Sequence, residues 1–387
     1  MRVGPASRHR AFLCEAVPPR QNTPMAARSR SKMRLSEIGE LTFVRNIRDA
    51  FTPRSREVIT GIGDDAAVIA PRGQQLLMTT DMMVEGIHFD LRFVTPSQLG
   101  FKIVSVNVSD IYAMGGEPAF LLLDIAAGKA TEGVFLASFL YGVRKALDFY
   151  RVDLVGGDLS STKGGMAVSA TVIGYGKRPI LRSGARPGDR IYVTGNLGDS
   201  ACGLELLRKI RRPVSLEQEV CKRPPVAGGS VPKRRSRRCP EAPGVISKLA
   251  GLGIAWNDAE AVIRRHVMPE ARNPRGIRDK ATAMIDISDG LFIDLSRLCE
   301  ESNAGARVFM EKIPLSGGMR RAARALGIEP HRLATGGGED YELLFTAPAR
   351  RKIAFPCIGE ITLSGMVVEG PGKRECELRP EGYTHWG

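Results

Sequence analysis

Two adjacent carboxylates in Gly61-Ile62-Gly63-Asp64-Asp65-Ala66-Ala67 are the first place where residue type and spacing point to chemistry. A Gly-x-Gly turn can bend sharply and bring backbone close to a ligand. Carboxylates held side by side repel unless a proton or a cation intervenes. Hard oxygen donors of this kind suit Mg²⁺, which usually takes one or two carboxylates together with substrate phosphates. A solvated turn would account for one such pair on its own. The pair has company, however: Asp81 in Met78-Thr79-Thr80-Asp81, Asp110 in Val106-Asn107-Val108-Ser109-Asp110, Asp158 after Gly156-Gly157, Asp286 and Asp289 in Ile285-Asp286-Ile287-Ser288-Asp289-Gly290, and Glu339-Asp340 after three glycines. Most of these acids end an apolar run beside Gly, Ser or Thr. Singly each reads as a cap or turn; together they read as a donor set for metal–phosphate chemistry.

Other side chains fit the same chemistry. Thr79 and Thr80 offer hydroxyls beside Asp81 that can complete a magnesium shell. His88, between Ile87 and Phe89, is either a structural histidine or a donor to an anionic substrate. Arg182 is a phosphate clamp or an ordinary surface residue. Tyr383 belongs to an aromatic tail with Trp386 that stacks on a ring or has no function. There is no GxxxxGK[ST] sequence and no HRD or DFG set, so nucleotide phosphates would be handled through magnesium and backbone turns.

Those residues need elements to position them. The apolar spacing of Leu35, Ile38, Leu41, Val44, Ile47 and Phe51 predicts a helix that ends before Pro53. Ala66–Ala70 and Gln75–Thr80 read as strands, the second delivering Thr79, Thr80 and Asp81 to one end of a sheet. Ser97–Met114 reads as a helix started by Pro96 and stopped by Gly115-Gly116, with Asn107 and Asp110 on one face. Strands over 120–126, 154–155 and 166–174 and a helix over 134–149 complete an α+β unit. After a junction near 181–189 come a strand at 191–195, a helix over 199–210, a helical pattern at 262–267 and a strand over 282–287. A helix from Leu291 follows, and its N-terminus would favour phosphate. Leu343-Leu344-Phe345 is a strand, and Ile358 and Gly359 precede a last strand pair.

With 387 residues, 43% hydrophobic and 25% charged, the chain has room for two folded domains. No apolar run approaches a membrane span. The net charge is +14, of which residues 1–32 carry +6 and residues 211–240 carry +7. The body is thus nearly neutral, and the basic blocks read as solvated segments, which makes nucleic acid an unfavoured partner despite Lys233-Arg234-Arg235-Ser236-Arg237-Arg238. Seven scattered cysteines without CxxC spacing imply reduced thiols and a cytoplasmic location. Residues 1–32 are expected to be a dispensable extension, with Met33 an alternative start.

The ordered blocks GIGDDAAV (61–68), TTDMMVEGIHFD (79–90), VNVSDIYAMGGEP (106–118), LVGGDLS (154–160), RSGARPGD (182–189), IDISDGL (285–291) and GGGEDYELLFT (336–346) resemble the thiamine-monophosphate kinase family. That family shares a superfamily with aminoimidazole ribonucleotide synthetase and selenophosphate synthetase. The resemblance covers roughly residues 35–210 and 262–387. It implies an α+β two-domain synthetase-superfamily fold. An N-terminal domain over 33–178 would form a barrel-like dimer core, and a sandwich-like C-terminal α/β domain would span 184–387 with a disordered insert over 211–244. It implies ATP-dependent phosphorylation of thiamine monophosphate by direct in-line transfer, with several Mg²⁺ ions and a homodimer. Residue by residue, Asp65, Thr79, Thr80, Asp81, Asp110, Asp158, Asp286 and Asp289 fall on metal positions. Gly157, Asp158, Arg182 and Ser288 fall on ATP positions, and His88, Glu339 and Tyr383 on substrate positions. The basic insert, the Arg-rich start and a short stretch between Pro269 and Lys280 depart from the pattern. A selenophosphate synthetase is the rival within the superfamily, though only Cys14 stands near the N-terminus. A nucleic-acid-binding protein acting through the basic segments is the rival outside it.

Overall fold

The computed structural model describes residues 46–60, 68–69, 73–214, 216, 243–380 and 382–383. The turn with Asp65, residues 1–32, most of the first expected helix, residues 217–242 of the insert and the tail beyond Tyr383 lie outside them.

In the N-terminal half, β1 (Val58–Thr60) and β2 (Val68–Ile69) form a short antiparallel pair. A five-stranded sheet is built from β3 (Gln75–Val84), β4 (Glu117–Gly128), β5 (Asp153–Gly156), β6 (Leu159–Thr162) and β7 (Ala167–Gly176). Its order is β3-β7-β4-β5, with β6 also on β4; β3, β7 and β4 are antiparallel, while β4 is parallel to β5 and β6. Helix α1 (Pro96–Ala113) lies against the sheet, and α2 (Gly133–Tyr150) lies against α1. On the sheet's other face Leu76, Met78 and Met82 are exposed.

Strand β3 is longer than its sequence pattern predicts. It continues through Asp81 to Val84, so Asp81 sits inside the strand rather than at its end. Alternation then separates neighbours: Thr79 and Asp81 share one face and Thr80 takes the other. There the Thr80 hydroxyl donates to the Ala170 carbonyl and accepts from Thr171, both at 3.1 Å.

Helix α1 starts with a reciprocal cap. Thr95 accepts the Gln98 N–H, and the Gln98 side chain accepts the Thr95 N–H at 2.9 Å. Sixteen of its eighteen residues are buried, which is the mark of a helix enclosed on all sides. It can be enclosed because two glycines let α2 approach to backbone contact. A Cβ on Gly100 would stand 2.0 Å from the Phe139 carbonyl oxygen, and one on Gly142 would stand 1.8 Å from that of Ser97.

The C-terminal half holds β8 (Asp189–Val193), α3 (Asp199–Ile210), α4 (Pro243–Gly251), α5 (Trp256–Val267), β9 (Ala283–Asp286), α6 (Leu291–Glu301), β10 (Gly305–Phe309), α7 (Gly317–Ala325), α8 (Pro330–Gly336), β11 (Leu343–Pro348), β12 (Cys357–Thr362), β13 (Met366–Glu369) and β14 (Glu375–Glu377). Its seven-stranded sheet runs β14-β13-β10-β12-β8-β11-β9, with β10 and β13 the parallel pair. One face, including Ile191, Val193, Ile285 and Leu344, enters the main core. The other gathers Tyr192, Met284, Leu343 and Phe345 with Ile277 and with Ala113 of α1. Ile358 and Gly359 lie inside β12 rather than before the last strands, because the Ile358 side chain is fully buried.

The insert is narrower than its composition predicts. Val214 and Leu216 are buried, the Gln98 amide donates to the Val214 carbonyl at 2.8 Å, and α4 begins at Pro243. No described helix is long and apolar enough to cross a membrane.

The glycine contact between α1 and α2 yields a test. Gly142→Ala forces the helices apart and should lower unfolding stability by about 2–3 kcal/mol in urea titration. An unchanged midpoint would contradict this crossing.

Candidate active site at the seam of the two halves

Helix α1 presents a polar row toward the seam. The Asn107 side chain accepts the backbone N–H of Asp81 at 2.9 Å. Asp110 accepts the Thr79 hydroxyl at 2.5 Å, and Ser109 donates to Asp286, at the end of β9, at 2.6 Å. One helix thus fixes a strand from each half. Asp81, Asp110, Asp286, Ser288 and Asp289 line a single cavity of about 850 Å³, together with His88, Glu339 and Tyr383. A neighbouring cavity of about 340 Å³ is lined by Thr79, Arg182, and again Asp110 and Asp286. Gly157 and Asp158 sit exposed at the junction of β5 and β6 and line neither cavity; Thr80 faces the opposite side of the sheet.

The acids disturb one another. Burial, then Asp110 and then Asp289 push the Asp81 carboxyl up to about 6. Burial also raises Asp110, against the opposing effects of Thr79 and Arg182. Asp286 is raised well above the ordinary range by burial and by Asp110. This is the behaviour of anionic oxygens gathered away from water with too little positive charge beside them.

The donor chemistry therefore fits a hard divalent cation. Among the described residues no three His, Cys, Asp or Glu side chains converge into a complete cage. The carboxylates instead line a cavity wall, an arrangement that suits Mg²⁺ completed by water and phosphate oxygens.

The Ser288-Asp289-Gly290 turn departs from expectation. Its three N–H groups do not face the cavity as an open anion site. All three donate to Asp294 Oδ2, at 3.1, 3.0 and 3.1 Å. Arg297 then bridges Asp294 Oδ1 at 2.8 Å and Asp289 Oδ2 at 2.6 Å. The start of α6 is thus satisfied from within its own first turns. An acid inside Leu291-Phe292-Ile293-Asp294-Leu295 was the sequence signal for this role.

On the same cavity, Glu339 has a left-handed backbone (φ 64°), as does Tyr341 (φ 51°). Such conformations persist in bulky residues only where surroundings enforce them. Lys102, from the middle of α1, pairs with Glu339 Oε1 at 2.6 Å, and His266 Nδ1 approaches Oε2 at 3.1 Å. Burial opposes ionisation of Glu339, yet Lys102 and then His266 hold its carboxyl well below the usual carboxylate range. Neither Lys102 nor His266 is evident from sequence pattern as a partner of Glu339. A lysine inside Leu99-Gly100-Phe101-Lys102-Ile103-Val104 was the one available signal. His88 Nδ1 accepts the Val84 N–H at 3.0 Å, which assigns the proton of the neutral ring to Nε2. Tyr383 donates its backbone N–H to the Asp289 carbonyl at 3.0 Å.

A two-sheet α/β chain with acids from both halves on one cavity defines a class: residues 63–175 match the AIR synthase related protein, N-terminal domain. The chain is 33% identical to the thiamine-monophosphate kinase of Aquifex aeolicus over 361 residues, which span 92% of this chain and all of that one. It is 33% identical to that of Escherichia coli K12, covering 90% of this chain and 98% of the other. The solved thiamine monophosphate kinase of Aquifex aeolicus superposes with a TM-score of 0.62 at 32% identity, over 88% of this chain and 99% of that one. The structure of AaThiL complexed with AMPPCP and TMP superposes with a TM-score of 0.65 at 32% identity, over 92% and 99%. The chain belongs to the thiamine-monophosphate kinase family.

The acid cluster predicts a pH dependence. A carboxyl whose folded pKa exceeds its unfolded value binds its proton more tightly when folded, so it favours folding at low pH and that gain is lost as pH rises. For Asp81 the window runs from its ordinary 3.8 to about 6. Without divalent cations, stability should fall across that window by up to about 3 kcal/mol through Asp81. Asp81→Asn should flatten the profile in urea titrations at successive pH values; an equally steep profile would refute the assignment.

Proposed function

We propose that this chain transfers the γ-phosphoryl group of ATP directly to the phosphate of thiamine monophosphate, releasing ADP and thiamine diphosphate. The observation that carries this reading is the convergence of Asp81, Asp110, Asp286 and Asp289, from both halves, on one cavity that also holds His88, Glu339 and Tyr383. Relatives that cover nearly the whole chain are thiamine-monophosphate kinases, and AMPPCP, an analogue of ATP, occupies one solved neighbour together with TMP.

The acceptor is already an anionic phosphate, so the reaction needs no strong base. The difficulty is that two polyanions must meet in line, which makes positioning and charge the main catalytic devices. Bound magnesium ions would supply the neutralising charge and polarise the transferred group. Asp81, Asp110, Asp286 and Asp289 would hold them, with the Thr79 hydroxyl orienting Asp110. Asp65 and Asp158 are further proposed ligands, Asp65 lying outside the described residues. Thr80, whose side chain lies on the other face of β3, is not placed to join them.

We assign the smaller cavity, with Arg182, to the triphosphate of ATP, and Gly157 and Ser288 to further nucleotide contacts. The larger cavity then receives the acceptor between His88, Glu339 and Tyr383. An acceptor oxygen forms the new bond to the γ-phosphorus as the bond to the β–γ bridging oxygen breaks. The exposed Leu76, Met78 and Met82 on β3 support a homodimer closed through the N-terminal sheets, the proposed barrel-like core. The free thiols of Cys202, Cys299, Cys357 and Cys376 support the cytoplasm as its compartment.

Incubation with ATP, Mg²⁺ and thiamine monophosphate should yield thiamine diphosphate, whereas thiamine alone should not be phosphorylated and chelation should stop the reaction. Asp81→Asn should lower kcat at least about 100-fold, on the order of the ~3 kcal/mol effect of removing one preorganised electrostatic group, while the protein stays folded. Near-normal turnover of the folded variant would refute the metal role. Retention of configuration at a chiral γ-phosphate would refute direct transfer.

A further inference from the structure

Lys102 is 1% exposed, yet its ammonium reaches Glu339 Oε1 at 2.6 Å. The pair is asymmetric. The cation is sealed inside α1's packing, whereas the Glu339 side chain remains 30% exposed and lines the large cavity. Buried ion pairs are poor stabilisers, so stability alone gives little reason for sealing a lysine inside this helix. His266, itself buried, brings Nδ1 to the other oxygen at 3.1 Å, and the Ser200 hydroxyl shares that nitrogen at 3.1 Å. Both carboxylate oxygens are therefore fixed from behind, and each keeps lone-pair capacity toward the cavity. The backbone agrees: Glu339 has φ 64° and donates its N–H to the Ser288 carbonyl at 2.7 Å, tying it to the turn that carries Asp289.

We propose that Lys102 is a positioning residue for acceptor specificity. Together with His266 it locks the Glu339 carboxylate in one orientation, so that a fixed negative charge meets an acceptor bearing an amino group and a cationic heteroaromatic ring. This rests on the reading of the larger cavity as the acceptor site. Lys102 touches no reacting atom; it acts through Glu339. The same helix that aligns Asp110 and Asp286 for the phosphates thereby sets the opposite end of the acceptor as well.

The test is steady-state kinetics of Glu339→Gln, Lys102→Met and the double variant, with thermal unfolding as a control. Glu339→Gln should raise KM for thiamine monophosphate roughly tenfold. Lys102→Met should do the same, with KM for ATP within about twofold of wild type and a smaller change in kcat. Because Lys102 acts only through Glu339, the double variant should be no worse than Glu339→Gln alone. Losing both charges also avoids a stranded buried ion, so the double variant should fold even if Lys102→Met does not. An unchanged acceptor KM in folded Lys102→Met, an equal rise in KM for ATP, or a double variant several-fold worse than Glu339→Gln would overturn the proposal. If Glu339→Gln itself leaves the acceptor KM unchanged, the acceptor-site reading fails and the proposal falls with it. If Glu339→Gln raises that KM and Lys102→Met does not, the proposal alone falls.

Discussion

Like-charge repulsion among Asp81, Asp110, Asp286 and Asp289 is the constraint that the architecture around the site is built to withstand. Four carboxylates, from β3, α1, β9 and the turn before α6, line one cavity, and burial disfavours the charged form of Asp81, Asp110 and Asp286. What holds them is hydrogen bonding from α1: Asn107 to the backbone of β3, Thr79 to Asp110, and Ser109 to Asp286. A helix exposed on one side could not hold both sheets, because only an enclosed helix presents polar groups in two directions. That explains why α1 buries Gln98, Lys102, Ser105, Asn107 and Ser109, residues that normally face water. Each of these five has a partner in the fold, and among the described residues of the helix only the buried Ser97 hydroxyl is left without one.

The supports are arranged in tiers. Gly100 and Gly142 let α2 seal one side of α1. Gln98 closes the helix start and reaches the Val214 carbonyl beyond it. On the C-terminal side, Asp294 and Arg297 hold the turn that carries Asp289. Farther out, Glu342 is completely buried but receives Arg265, a two-pronged Arg272 and the Thr194 hydroxyl, the last at 2.6 Å. Charge-assisted bonds of that kind suit a node that must not move. It anchors the entry to β11, just past the left-handed backbone of Glu339 and Tyr341. Strain at the cavity wall is thus maintained by rigid groups next to it.

Much of this was legible in the sequence, and the failures share a cause. The spans of α1, α3 and α6 follow from their apolar runs, that of α1 also from its flanking Pro96 and Gly115-Gly116. The acids stood out because each ended an apolar run beside a small residue. Sequence spacing misplaced Thr80, because an adjacent pair on a strand looks like a pair only until alternation sends its members to opposite faces. It misjudged the start of α6, because three N–H groups attract an anion from the ligand or from Asp294 alike, and only packing decides which. Lys102 and His266 were illegible for a different reason. Their partner lies more than two hundred residues from one and more than seventy from the other, and no local pattern encodes such a pairing. Composition averages over the ends of the basic block, so it does not show that Val214 and Leu216 are core residues.

The same repulsion that burdens the site gives it direction. Burial raises Asp81, Asp110 and Asp286, and mutual repulsion adds to this at Asp81 and Asp286, so within the fold these carboxyls hold their protons more tightly than they would in water. On the proposed reading, a divalent cation would relieve that repulsion because acids from both halves line one cavity. Phosphate oxygens would complete the same ions, which would make cation and nucleotide mutually reinforcing ligands. Glu339 stands outside this exchange, since its counter-charge is built in. On that reading one part of the cavity gathers carboxylates for cations and another presents Glu339, held by Lys102 and His266, so that the two ends of the acceptor would meet different groups.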